Sequence, residues 1–237
     1  MKKILQKIIA ESGYCSRRAA EDLIKRGQVK LNNILAKPGD MADENDQIKV
    51  RGKILNGPQE KVYLKMNKPV GYTCTNREFK NEKDIFTLAG KLPKGVFTVG
   101  RLDKNIRGLI LITNDGDLNL KLTHPRLGHE KIYEVKINQE ADEKLALKIK
   151  NNFLKGIPFD LEEGVARAKR VEHLGGNQFK IVLTEGKKRQ IRRMFEALKI
   201  RVADLKRVSF AGVELDRLAE GKWGKLTKNE IERLKKL

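Results

Sequence analysis

The chain has 237 residues, 39% of them hydrophobic, enough to bury a real core and suited to a small domain beside a larger one. Lys and Arg number 51 against 31 Asp and Glu, and the resulting net charge of +20 points to a polyanionic partner. No stretch approaches the roughly 18 consecutive apolar residues of a spanning helix, and no signal-peptide core follows Met1-Lys2-Lys3, so nucleic acid is favoured over a membrane and a cytoplasmic location is expected.

Cys15 and Cys74 stand far apart in no Cys-x-x-Cys pair, and His124, His129 and His173 fit no His-Glu-x-x-His pattern. None of the Gly-Lys pairs is followed by Ser or Thr, as a standard phosphate loop requires. The expectation is no disulfide framework, no metal and no nucleotide or other cofactor.

Ile4, Leu5, Ile8 and Ile9 share one face of a helix predicted over Lys2 to Glu11, which Gly13 can stop. Ser16 then caps a second helix, Arg17 to Arg26, that buries Ala19, Ala20, Leu23 and Ile24 and turns Arg17 and Arg18 outward. Strands over Val29 to Asn32 and Gln47 to Val50 follow. Asp43-Glu44-Asn45-Asp46 lacks the Gly and the later Glu of a calcium loop and reads as a turn.

The run Ser12-Gly13-Tyr14-Cys15-Ser16-Arg17-Arg18-Ala19-Ala20 resembles the signature of the S4 RNA-binding module. That resemblance implies that residues 1–50 grip structured RNA, with Arg17 and Arg18 as contacts, although basic residues on such a face are usually only solvated. Residues 51–60, with Gly52, Gly57 and Pro58 and weak periodicity, suit a linker. A second domain is expected over 61–237.

That domain opens with alternating apolar residues from Val62 that run through Met66-Asn67-Lys68-Pro69-Val70-Gly71 into a turn. Phe97-Thr98-Val99 then leads to Gly100-Arg101-Leu102-Asp103, a second apolar run follows Gly108, and an Asn114-Asp115-Gly116 turn closes it. A carboxylate so placed can act as nucleophile or base, or it can accept backbone hydrogen bonds that shape a turn.

Gly100-Arg101-Leu102-Asp103 together with Gly108-Leu109-Ile110-Leu111-Ile112-Thr113-Asn114-Asp115-Gly116 resembles the catalytic loop of ribosomal-RNA pseudouridine synthases of the RsuA type. The resemblance implies that Asp103 is the catalytic residue and Arg101 a substrate contact. It also brings Lys68, through Asn-Lys-Pro-x-Gly in the strand that enters the catalytic domain, in as a substrate or RNA contact, although Lys68 alone would more often be a surface residue. Ile106 and Arg107 depart from the small hydroxylated residues usual in the family.

A short helix over Leu118 to Leu122 ends at Pro125, and a strand follows with Tyr133, Val135 and Ile137 on one face. Tyr133 is by default a core residue. Lys131-Ile132-Tyr133-Glu134-Val135 resembles the family's second motif, which implies that the Tyr133 ring stacks on the target base. Ala141 to Phe153 reads as a helix and Gln178 to Thr184 as a strand, an alternation that predicts an α+β catalytic domain on a mixed or antiparallel central sheet.

Around Gly186-Lys187-Lys188-Arg189-Gln190-Ile191-Arg192-Arg193, a helix starting near Lys188 buries Ile191, Met194, Phe195 and Leu198, sets Arg192 on the border and points Arg193 to solvent. This stretch resembles the family's third motif, where a basic residue pairs with the catalytic Asp. The match falls on Arg192, and Arg189 with Gln190 would contact RNA in the manner of the branch acting on large-subunit rRNA. Leu205, in a strand over Arg201 to Val208, resembles the apolar residue of the uracil pocket, with a core leucine as the ordinary alternative. Thr227-Lys228-Asn229-Glu230 is a capping box opening a last helix.

The expected function is conversion of uridine to pseudouridine in a structured large-subunit rRNA stem-loop by a monomer without cofactor, with 16S rRNA or tRNA as the alternative substrate. A non-catalytic ribosome-associated RNA binder explains the charge and the first fifty residues but not the Asp103 loop. A metal-dependent nuclease needs a carboxylate cluster that the sequence lacks.

Overall fold

The computed structural model describes residues 2–75, 82–160 and 162–237. The chain divides into two compact units, Met1–Val62 with Leu92–Phe97, and Tyr63–Lys91 with Thr98–Leu237.

The first unit runs β1 (Lys3–Ile4), α1 (Leu5–Glu11), α2 (Arg17–Lys25), β2 (Val29–Leu31), β3 (Ile34–Leu35), β4 (Met41–Ala42), β5 (Ile48–Val50) and β6 (Lys53–Ile54). Its α2 starts as expected, because the Ser16 side chain accepts the Ala19 N–H. The predicted first helix is shorter at its start. Ile4 offers no side-chain cap, so Lys3 and Ile4 pair with β4 and the Leu5 N–H donates to the Asp40 carbonyl instead.

Lys53 and Ile54, placed by composition in the linker, form a fourth strand of the sheet β3-β2-β5-β6. Leu5, Ile9, Ala20, Ile24, Val29 and Val50 make this unit's core. The acidic segment is the turn expected: Asp46 accepts the Asp43 N–H and Asp43 accepts the Asn45 N–H.

The second unit contains β7 (Tyr63–Lys68), α3 (Ile85–Ala89), β8 (Phe97–Val99, its first residue falling in the first unit), β9 (Arg107–Thr113), α4 (Gly116–Thr123), β10 (Lys131–Ile137) and α5 (Glu143–Lys155). It continues through β11 (Ile157–Pro158), β12 (Val165–Ala166), β13 (Arg170–Gly175), β14 (Gln178–Leu183), α6 (Gln190–Ala197), β15 (Val202–Phe210), β16 (Val213–Glu214), β17 (Trp223–Lys225) and α7 (Lys228–Lys236).

Its mixed sheet runs β13-β14-β10-β15-β9-β7-β17, with β15 and β9 parallel and the other neighbours on this path antiparallel. The α+β class read from the sequence holds. Asn114-Asp115-Gly116 is the start of α4 and not a free turn: Asp115 accepts the N–H groups of Asp117 and Leu118 and the Tyr63 hydroxyl.

Helices cover both faces. Phe153 of α5, Phe195 of α6 and Phe179 of β14 meet edge to face at 4.8 and 6.0 Å. Leu118 and Leu122 of α4 and Leu234 of α7 join Leu109 and Leu111 in a second cluster. The capping box forms at Thr227 and Glu230, and Glu230 also accepts from Lys65 of β7 at 3.0 Å, which ties α7 to the sheet.

Candidate active site

Strand register places the site. Lys68 pairs with Gly108, Gly108 with Arg207, Arg207 with Tyr133, and Tyr133 with Ile181, a row that crosses β7, β9, β15, β10 and β14. Directly paired residues share a face, so Lys68, Arg207 and Tyr133 lie on one side of the sheet with Leu205, two residues before Arg207. Gly108 has φ +107°, and a β-carbon there would collide with the Arg207 backbone, so this close approach of β9 and β15 requires glycine.

The Asp103 loop joins β8 to β9 and its carbonyl groups are held one after another. The Asp103 carbonyl accepts the Ile106 N–H at 3.0 Å, and the Lys104 carbonyl accepts the Gly71 N–H at 2.8 Å. Arg192 Nη2 donates to the Asn105 carbonyl at 2.9 Å, and Lys68 Nζ donates to the Ile106 carbonyl at 2.7 Å. Lys68 also reaches the carbonyls of Pro69 at 2.9 Å and Lys104 at 3.4 Å. Leu102 within the loop is buried, and its N–H donates to the Cys74 thiol.

With the backbone so engaged, the half-buried Asp103 side chain makes no ion pair or hydrogen bond among the described residues. Its charge still acts on its neighbours, raising the proton affinity of both Lys68 and Arg192. A rigid loop presenting a carboxylate that is engaged by nothing else can use that group on a bound molecule.

Burial dominates the electrostatics. Desolvation pushes the Lys68 amine down to about 8, against the opposing charges of Cys74, Asp103 and Glu220. Lys131 falls to about 8 for the same reason, helped by Arg207. The Arg192 guanidinium is also lowered, by burial first and by Arg189 second. The Cys74 thiol is pushed up by burial, with Lys68, Arg207 and Arg101 pulling the other way.

Several site expectations need correction. Lys68 is not a surface residue: it is fully buried, 0% exposed, and its amine is taken up by the carbonyls of Pro69, Lys104 and Ile106, so it supports the loop. Gln190 is buried too: its amide donates to Glu185 at 2.6 Å and to the Arg167 carbonyl at 3.3 Å, and its oxygen accepts the Lys187 N–H. Arg193 does not point to solvent. It lies 3.7 Å over the Phe159 ring and pairs with Glu163 at 2.7 Å, because these two residues, next to β11 and β12, lie against α6. Arg192 bonds the carbonyls of Asn105 and Val202 (3.0 Å) and forms no ion pair with Asp103 among the described residues.

Tyr133 and Leu205 are buried, and Arg101 and Arg189 are exposed, Arg189 in the left-handed region at φ +52°. In the first unit Arg17 and Arg18 are exposed on α2. The departures at 106 and 107 have structural roles: Ile106 is buried, and Arg107 grips Asp204 through Nε (2.9 Å) and Nη2 (2.6 Å). Sequence reasoning missed Lys131 and Arg207. The signal for Arg207 was its place two residues after Leu205 in a strand, on the same face. Among the described residues no group of three or more His, Cys, Asp or Glu side chains could hold a metal ion.

Residues 62–197 match the family described as RNA pseudouridylate synthase, and residues 5–48 match the S4 domain. The chain is 35% identical to ribosomal large subunit pseudouridine synthase B of Bacillus subtilis over 98% of its own length and 96% of that protein's. It is 36% identical to the dual-specificity RNA pseudouridine synthase RluF of Escherichia coli K12, over 98% and 78% of the two chains. A crystal structure of a pseudouridylate synthase, 30% identical, superposes with a TM-score of 0.69 over 98% of this chain and 99% of that one. A full-length likeness in sequence and fold, centred on a sheet that carries an immobilised Asp loop, places this chain in the RNA pseudouridylate synthase family, with an S4 domain at its amino-terminal end.

Proposed function

We propose that the chain converts one or a few uridines of a structured 23S rRNA hairpin to pseudouridine, using Asp103 on a base turned out of the RNA. The observation that carries the reading is the Asp103 loop, whose four successive carbonyls from 103 to 106 are all bonded while the carboxylate is left for a ligand. Asp103 would attack the nucleoside or take a proton from its sugar.

A base inside folded RNA must leave its stack before its glycosidic bond can be reached. The buried face beside the loop offers a stacking ring in Tyr133 and an apolar floor in Leu205. Arg192 fixes the loop and adds positive charge near the carboxylate. Exposed Arg101 and Arg189 would meet the RNA backbone, and Arg17 and Arg18 of the S4 domain would grip the stem. The enzyme would work as a cytoplasmic monomer with no metal and no cofactor.

The large-subunit assignment follows the name of the Bacillus subtilis relative and the Arg189 form of the third motif. Deleting the gene and mapping pseudouridine across all stable RNAs by chemical adduct tests it. Loss of a site in 23S rRNA is expected. Loss confined to 16S rRNA or tRNA, with 23S unchanged, contradicts the substrate.

A further inference from the structure

Arg207 is 3% exposed, yet only part of its guanidinium is engaged. Its Nε donates to the Leu109 carbonyl at 2.8 Å, while Nη2 is buried with no hydrogen-bond partner. No carboxylate pairs with it among the described residues, and the Phe210 ring lies 5.0 Å from it. An unpaired buried charge with an idle donor is costly to the fold, and such a group is retained where a ligand completes it.

Its neighbours make the deficit of negative charge larger. Lys131 and Lys68 occupy the same face, both amines pushed down to about 8, and the acids acting on them are Asp103, Glu185 and Glu220. Arg207 is paired across β15 and β10 with Tyr133, on the face that also carries Leu205. The free donor therefore lies beside the buried surface that would receive the base. A hydrated phosphate of the RNA backbone suits a donor buried to this degree less well than a base does.

The reaction creates the missing anion. When the bond between the sugar C1′ and the uracil N1 breaks, its electron pair passes to the ring and is spread over N1, O2 and O4. The ring then rejoins C1′ through C5, C5 loses its proton and N1 gains one, so composition is unchanged. A fixed donor aimed at an oxygen that gains charge only as the bond breaks stabilises the transition state more than the bound substrate.

We propose that Arg207 is a catalytic residue whose free Nη2 donates to a ring carbonyl of the target uracil and holds the charge that the departing ring acquires. The inference rests on the turned-out base described above.

The test uses the full chain and total RNA from cells that lack the gene, in which the target is present whichever RNA carries it. A failure of the 23S assignment then shows as a different labelled RNA and not as loss of signal. With enzyme in excess, Arg207→Met is expected to slow conversion by about 100-fold or more, to keep RNA affinity within about threefold, and to melt no lower than the wild type, since an unpaired buried charge is gone. Arg207→Lys should recover part of the rate. Conversion by Arg207→Met at the wild-type rate overturns the proposal. So does a loss of affinity that matches the loss of rate, which would mark a phosphate contact, or a lowered melting temperature in both variants, which would mark a structural role.

Discussion

Arg192 donates to the carbonyl of Asn105 at 2.9 Å, two residues beyond Asp103, and so fixes the backbone that carries the Asp103 carboxylate. The same guanidinium donates to Val202 at 3.0 Å, joining the loop to the first residue of β15.

A fork that spans two carbonyls is a geometric device, and lysine does not reproduce it. Arg192→Met should lower single-turnover conversion by about 100-fold, the scale of a small misplacement of a reacting group. Arg192→Lys should stay within about tenfold of the Met variant. Full activity in the Lys variant would show that charge alone matters.

Lys68 makes stability depend on pH in a direction that can be worked out. Its amine titrates at about 8 in the folded protein and at 10.5 in the unfolded chain, so between these values the unfolded state holds the extra proton. Stability contributed by this group therefore rises with pH across that window and is absent below it. The melting temperature of the wild type minus that of Lys68→Met should increase from pH 8 to 10.5. A flat difference would mean that the buried amine is not desolvated in the native state.

Arg189 and Gln190 are neighbours with opposite expected behaviour. Gln190→Ala removes three part-buried hydrogen bonds and should cost about 1–3 kcal/mol of stability with RNA affinity unchanged. Arg189→Ala should leave the melting temperature within about 2 °C and weaken RNA binding. Equilibrium melting and filter binding on the same preparations would separate the two, and a stable Gln190→Ala with weak RNA binding would contradict the burial.

Arg17 and Arg18 should each neutralise a phosphate. Replacing both by Ala is expected to reduce the slope of log affinity against log salt by about 2, because fewer counterions are released. An unchanged slope would mean that this face of α2 does not touch RNA.

Local signals were the legible ones. The Ser16 cap and the Thr227 to Glu230 box depend on residues three apart and appear as read. The alternation of Tyr133, Val135 and Ile137 is likewise a property of one strand. Lys68 was misread because its burial comes from carbonyls 36 and 38 residues away, and Gln190 because Arg167 and Glu185 enclose it. Arg193 shows the same limit: helical geometry set its direction, but the segment holding Phe159 and Glu163 came from outside the helix. Arg207 becomes conspicuous only when the sheet order puts β15 between β9 and β10.

The central claim is that the Asp103 carboxylate performs the chemistry. Asp103→Asn keeps the size of the side chain, and the loop carbonyls that hold it stay bonded to Lys68, Gly71, Ile106 and Arg192. Mass-neutral conversion of uridine, followed in total RNA from cells lacking the gene, is expected to fall by about 10,000-fold or more in this variant, with RNA affinity within about threefold of the wild type. Conversion within tenfold of the wild type would contradict the account.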